Sequence, residues 1–204
     1  MYKEGTESWR LVTSGDMSLN FAIFTGCIYG LVDESTELRA NKLWPTNCWL
    51  DKSNEVAPLL KEQWSDWFNS MIKDRGEKII QEQNVHLNNF MFSPPNFDKF
   101  PYDELRRFCK NAWQPFIEWW EMVGGGRNGL SYFEILGNEK IYEYISEFEN
   151  MVGRKVKPFN LYIDFIYTNN RKIIEVNSEY IVMIPDSHFY FDKDWWMNKL
   201  KQIG

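Results

Sequence analysis

Apolar residues recur at three- and four-residue spacings along Ala57–Gln83, where Leu60, Trp64, Trp67, Phe68, Met71 and Ile72 fall on one stripe. That spacing predicts an amphipathic helix facing a core, with Pro58 in its first turn. Gly76 is expected to split off a last piece, Ile79–Gln83. The stripe returns in Tyr102–Val123 with Leu105, Phe108, Cys109, Ala112 and Trp113. Pro115 predicts a kink or a restart there, because proline lacks the N–H and crowds the preceding turn. The cluster Phe116, Ile117, Trp119 and Trp120 that follows is assigned to the core. A third helix, Glu139–Val152, is expected between Asn138 as cap and Gly153 as stop. Asp192–Ile203 closes the chain as an amphipathic helix carrying Trp195, Trp196 and Leu200.

Elsewhere the period drops to two. Trp9–Val12 and Asn20–Val32 are expected as strands on either side of the turn residues Ser14-Gly15-Asp16. In the second of these Phe21, Ile23 and Thr25 alternate with Ala22, Phe24 and Gly26, so both faces are apolar and the strand is expected to be central. Leu130–Leu136 alternates as a further strand, and Glu179–Pro185 reads as β before a turn at Pro185-Asp186-Ser187. Leu38–Leu50 is broken by Trp44-Pro45-Thr46-Asn47, and Ser93-Pro94-Pro95-Asn96 marks a loop. The sum is an α+β fold: a mixed or antiparallel sheet including a hairpin near 161–184, with three to five helices packed on it. A single domain over 1–204 is expected, any subdivision falling near 90–100.

Leu161–Asn177 carries the sharpest chemical signal. It reads as two strands joined by Asn169-Asn170, a pair that tolerates the left-handed backbone of a two-residue hairpin turn. That register sets Asp164 opposite Glu175 and Tyr162 opposite Asn177, all on one face. Opposed carboxylates roughly 5 Å apart at Cβ repel, and are stable only with a cation, a proton or open water between them. A hard divalent ion such as Mg2+ takes the oxygens that Asp164, Glu175 and Asn177 offer. The competing interpretation is a solvated sheet face, although Tyr162, Ile166 and Ile173 share it.

Composition narrows the field. The chain has 204 residues, 44% hydrophobic and 25% charged, which is globular. Its 17% aromatic content, with ten Trp, fills a large core and leaves some rings for a partner surface. A net charge of −6 gives no electrostatic footprint for nucleic acid. Cys27, Cys48 and Cys109 show no metal-ligand spacing and are expected as free thiols in a reducing cytoplasm. The first residues lack the signal-peptide pattern, and no apolar run is long enough to cross a membrane. His86 and His188 are expected as ordinary polar or core side chains.

Gly124-Gly-Gly-Arg127-Asn-Gly129 is expected as a loop: either a hinge, or bare N–H groups wrapping phosphates with Arg127 neutralising charge. The specific nucleotide fingerprints Gly-x-x-x-x-Gly-Lys-Ser/Thr and Gly-x-Gly-x-x-Gly are absent from the sequence.

Asn138–Asn177, a helix followed by a strand bearing Asp and a strand ending Glu-Val-Asn, resembles the C-terminal part of the ATP-grasp superfamily. The resemblance implies that Asp164, Glu175 and Asn177 hold the Mg2+ of bound ATP. Arg127 or Lys172 would then neutralise phosphate. The chain departs from the pattern after Asn177, where Ser-Glu-Tyr replaces the glycine that often follows. The Asp and Glu-x-Asn pair also resembles restriction-endonuclease-like nucleases, but Asn177 stands where their lysine belongs and supplies no positive charge.

Two functions of different class follow. One is a Mg2+- and ATP-binding protein, a ligase-type enzyme or a degenerate relative, in which the ion stabilises charge developing in phosphoryl transfer. The other is a non-enzymatic cytoplasmic module that binds a protein partner, of the immunity or phage-inhibitor kind, through its surplus of Trp and Tyr.

Overall fold

The computed structural model describes residues 8–32, 58–81, 94–124, 126–136, 140–167, 173–183 and 192–204. In chain order the elements are β1 (Arg10–Ser14), α1 (Met17–Ile28), α2 (Pro58–Gln81), α3 (Asp103–Glu121), α4 (Gly126–Leu136), α5 (Ile141–Val152), β2 (Asn160–Phe165), β3 (Ile174–Glu175), β4 (Tyr180–Met183) and α6 (Lys193–Ile203). The architecture is α+β, as expected: a four-stranded mixed sheet in the order β1-β2-β4-β3, with helices packed on it. β1 and β4 both run parallel to β2, and β3 runs antiparallel to β4 at the edge.

The strand pairing corrects the expected hairpin. β2 pairs with β4, not with β3, and Asp164 lies beside Val182 and Ser14. The hairpin in this region is β3–β4, in which Glu175 faces Ile181. Its turn is set by Asn177, whose side-chain oxygen accepts from the Glu179 N–H at 2.9 Å. Ile181 is the partner of Ile163, and neighbouring residues alternate sides, so Glu175 and Asp164 project from opposite faces. Asn169-Asn170, the bend first assigned, and Lys172 lie outside the described residues, as do Cys48, His86 and His188.

Two segments expected as strands are helices. Asn20–Val32 falls largely in α1, of which ten residues from Ser18 to Ile28 are buried. A helix apolar on all sides has no amphipathic period, and its side chains mimic a central strand. What starts it is Asp16, an N-cap whose carboxylate accepts from the Leu19 N–H at 2.8 Å. Leu130–Leu136 lies in α4, which begins at Gly126, so the glycine-rich stretch enters a helix. Gly126 suits that position because a Cβ there would meet the Trp119 and Trp120 rings at 2.6–2.8 Å.

The other helices stand near their expected bounds. α2 continues through Gly76, which is present for close approach: a Cβ would lie 2.9 Å from Val176 and 3.3 Å from Tyr180. α3 continues through Pro115, whose missing N–H would have bonded the carbonyl of the exposed Asn111. α5 begins after Lys140 and ends at Gly153 with φ 69°, the left-handed cap the sequence announced.

The core is aromatic. Phe116 packs its ring against Phe21, Phe24, Trp113, Trp119 and Trp120 at centroid distances of 5.1–5.9 Å. Trp64 donates to the Ala22 carbonyl at 2.8 Å and locks α2 to α1. Among the described residues every tryptophan is buried or half-buried, while Tyr142 is exposed. No described helix is long and apolar enough to cross a membrane.

Candidate functional site

β2 is buried along most of its length, and Asp164, at 2% exposure, is the charged residue within it. A carboxylate removed from water must be paired. Its partner is Arg75 of α2, 8% exposed, which grips it with two N–H groups: Nε to Oδ2, and Nη2 to Oδ1 at 2.8 Å. Tyr180 of β4 donates its hydroxyl to the same Oδ2 at 2.7 Å. Arg75 reaches onward with Nη1 to Asp16 Oδ2 at 3.1 Å. One guanidinium therefore ties α2 to β2 and to the cap of α1, and the cluster carries two carboxylates against one cation.

Electrostatics follow from that imbalance. Burial raises the Asp16 pKa above its ordinary 3.8; Arg75 works against this and Asp164 with it. For Arg75 burial favours the neutral form, but Asp164 and Asp16 outweigh it and hold the guanidinium firmly charged. Burial, reinforced by Asp164, keeps the Tyr180 phenol protonated.

The cluster floors a cleft of about 400 Å³ over the carboxyl ends of the parallel strands β1 and β2. Ser14, Gly15 and Asp16 form its β1 side, Tyr162 and Asp164 its β2 side, and Arg75 and Ile79 of α2 one wall. Trp120 and Glu121 of α3 and Arg127 of α4 complete the opposite rim. Val12 and Ser14 are the register partners of Tyr162 and Asp164, which puts all four on the cleft face of the sheet.

Polar ties hold the rim. Tyr167, just beyond β2, donates its hydroxyl to the Gly126 carbonyl at 2.7 Å and fixes the first turn of α4, from which Arg127 projects. Asn20 bonds both the Phe165 carbonyl and the Tyr167 N–H, at 2.9 and 3.0 Å, fastening α1 to the end of β2.

Of the residues singled out in the sequence, Asp164 and Arg127 meet at this cleft. Arg127 sits exposed on the rim, 3.8 Å from Glu121. Glu175 does not join them; it pairs with the buried Lys199 of α6 at 3.2 Å, on the other face of the sheet. Asn177 donates to the Gly76 carbonyl at 3.3 Å and shapes the β3–β4 turn. The three oxygens expected around one Mg2+ are thus not assembled, because β4 separates the two strands that carry the acids. Among the described residues no group of three or more His, Cys, Asp or Glu is placed to hold a metal ion.

Asp16, Arg75 and Tyr180 were not singled out in the sequence, yet two of them left a signal. Arg75 lies four residues after Met71 and four before Ile79, a cation on the apolar stripe of α2 that only a buried anion satisfies. Asp16 follows Ser-Gly directly before an apolar run, as a helix cap does. Tyr180 left none.

Comparison of the chain and its structure with protein-family models, curated proteins and solved structures finds no match.

The raised Asp16 pKa gives a pH-dependent expectation. The folded state binds this proton more tightly than the unfolded chain, so stability falls as pH rises from about 4 through the folded-state pKa. Asp16→Asn keeps a cap and removes the charge. The variant should gain stability relative to the parent as pH rises across that window and keep the gain above it. Urea midpoints at about pH 4 and about pH 7 measure this; an unchanged difference between the two would contradict it.

Proposed function

We propose that this chain is a small-molecule-binding protein whose site is the cleft over the carboxyl ends of β1 and β2. The observation that carries the proposal is the convergence there of four separate stretches: Ser14-Gly15-Asp16, Arg75, Asp164 and Arg127. A volume of about 400 Å³ falls in the range of ordinary ligand pockets, and the lining joins apolar surface from Trp120, Ile79 and Met17 to a few fixed polar groups.

A Mg2+-nucleotide is one occupant to consider, since Arg127 and Asp164 share this cleft. Binding it through Asp164 would require Arg75 to give up a two-pronged pair. A protein-binding role has separate support in Met122 and Val123, 52% and 95% exposed where α3 gives way to α4.

Thermal melting against a panel of small ligands, with Mg2+-ATP among them, tests the proposal. A ligand at 100 times its Kd adds about 2.7 kcal/mol to the folded state. The stabilisation should vanish in Ser14→Phe, which fills the cleft from the β1 side. A shift that survives Ser14→Phe would place the ligand elsewhere.

A further inference from the structure

We propose that the cleft takes a small organic cation, its ammonium or amidinium head against Asp16 where β1 ends and its apolar body along Trp120 and Ile79. This rests on the cleft being the binding site. The cavity defines the site, and its charge selects the occupant. Among the described residues the charged groups facing it are Asp16, Asp164, Arg75, Glu121 and Arg127, and Tyr180 reaches the same cluster from behind through Asp164. Glu121 and Arg127 offset one another across 3.8 Å at the exposed rim. On the floor Arg75 offsets one of the two carboxylates, so the described lining carries one negative charge in excess.

The geometry shows where that charge is available. Both oxygens of Asp164 are engaged, by Arg75 and Tyr180. Asp16 Oδ1 is taken by the cap to Leu19, the Ser18 N–H also acts on the carboxylate, and Oδ2 accepts one charged N–H, from Arg75. A carboxylate oxygen accepts two hydrogen bonds, so Oδ2 retains a lone pair at the cleft edge. Burial raises the Asp16 pKa and Asp164 adds to it; a cation held beside the carboxylate would act the other way, as Arg75 does. Anions face the opposite balance, because the rim cation is neutralised by Glu121 and the floor is acidic. The apolar wall makes a bare metal ion a poor fit and an aromatic or aliphatic amine a good one.

Methyl-13C-methionine spectra of the full chain supply the test. Met17 lines the cleft, while Met71 and Met183 lie in the core and report on folding. The probes are benzylamine, benzyl alcohol and benzoate, which share a ring and differ in charge. The Met17 methyl should shift saturably with benzylamine, about tenfold more tightly than with benzyl alcohol, and should not move with benzoate. Asp16→Asn should weaken benzylamine about tenfold. Arg127→Gln, at an exposed rim position, should tighten it by leaving Glu121 uncompensated. Benzoate or ATP shifting Met17 where benzylamine does not would overturn the cationic preference and leave the cleft reading standing. No Met17 shift with any probe would overturn both. Loss of the Met71 and Met183 signals in Asp16→Asn would mark misfolding, and the Arg127→Gln result then decides.

Discussion

Arg75→Met is expected to destabilise the protein by about 3–5 kcal/mol, since removing one partner of a buried ion pair leaves the other charge uncompensated. Here the loss is felt twice. Asp164 gives up both of its guanidinium hydrogen bonds and keeps only Tyr180, and Asp16 loses its one ionic partner. Equilibrium urea unfolding of parent and variant at neutral pH measures the difference. A second variant separates charge from shape. Combining Arg75→Met with Asp164→Leu and Tyr180→Phe replaces the fully buried part of the set by apolar side chains, a change that is often close to neutral, and leaves only Asp16 without its ionic partner. The triple variant should therefore be more stable than the single one. If it is less stable, the cluster stabilises the fold by more than the mutual satisfaction of buried charges.

Phe116→Ala should cost a similar amount, about 3–5 kcal/mol, through lost burial and the cavity left behind. Phe116 is fully buried and touches rings from α1 and from its own helix, so its removal opens the seam between α1 and α3. Met151→Ala, at a position 60% exposed on α5, serves as the contrast and should stay within about 0.5 kcal/mol. Thermal or urea melts of the two variants against the parent check both. A Phe116→Ala protein as stable as the parent would mean that the aromatic cluster collapses onto the space without penalty.

The amphipathic helices were legible from their residues because half of each faces water and the apolar stripe shows the period. α2, α3, α5 and α6 all fall within a few residues of where that stripe places them. α1 was not legible as a helix, because Leu19 to Phe24 are all buried and burial on every side erases the period. The sheet was legible as strands but not as pairings. Tyr162, Ile163 and Asp164 were placed correctly on a strand, yet nothing local tells Asp164 whether its neighbour is Glu175, eleven residues on, Val182, eighteen residues on, or Ser14 at the other end of the chain. The partner of Asp164 is an arginine 89 positions away, and its trace in the sequence is a charge out of place on the stripe of α2. Arg127 was recognised for its glycine-rich setting, and its place on the cleft rim follows from Tyr167 anchoring the start of α4.

The first strand of the sheet has its neighbour in β2, with Arg10 alongside Asn160. On a ribosome adding about 5–20 residues per second, β1 waits roughly 8–30 s before that neighbour is made. For that interval the nascent chain carries an unpaired β edge and, directly behind it, a helix with no polar side. Order of synthesis and order of assembly are opposed in this topology, and a permuted chain that begins near Pro58 and joins β1 behind α6 would bring the two strands within a short stretch of each other. Such a chain should close its sheet sooner and aggregate less during refolding than the natural order does.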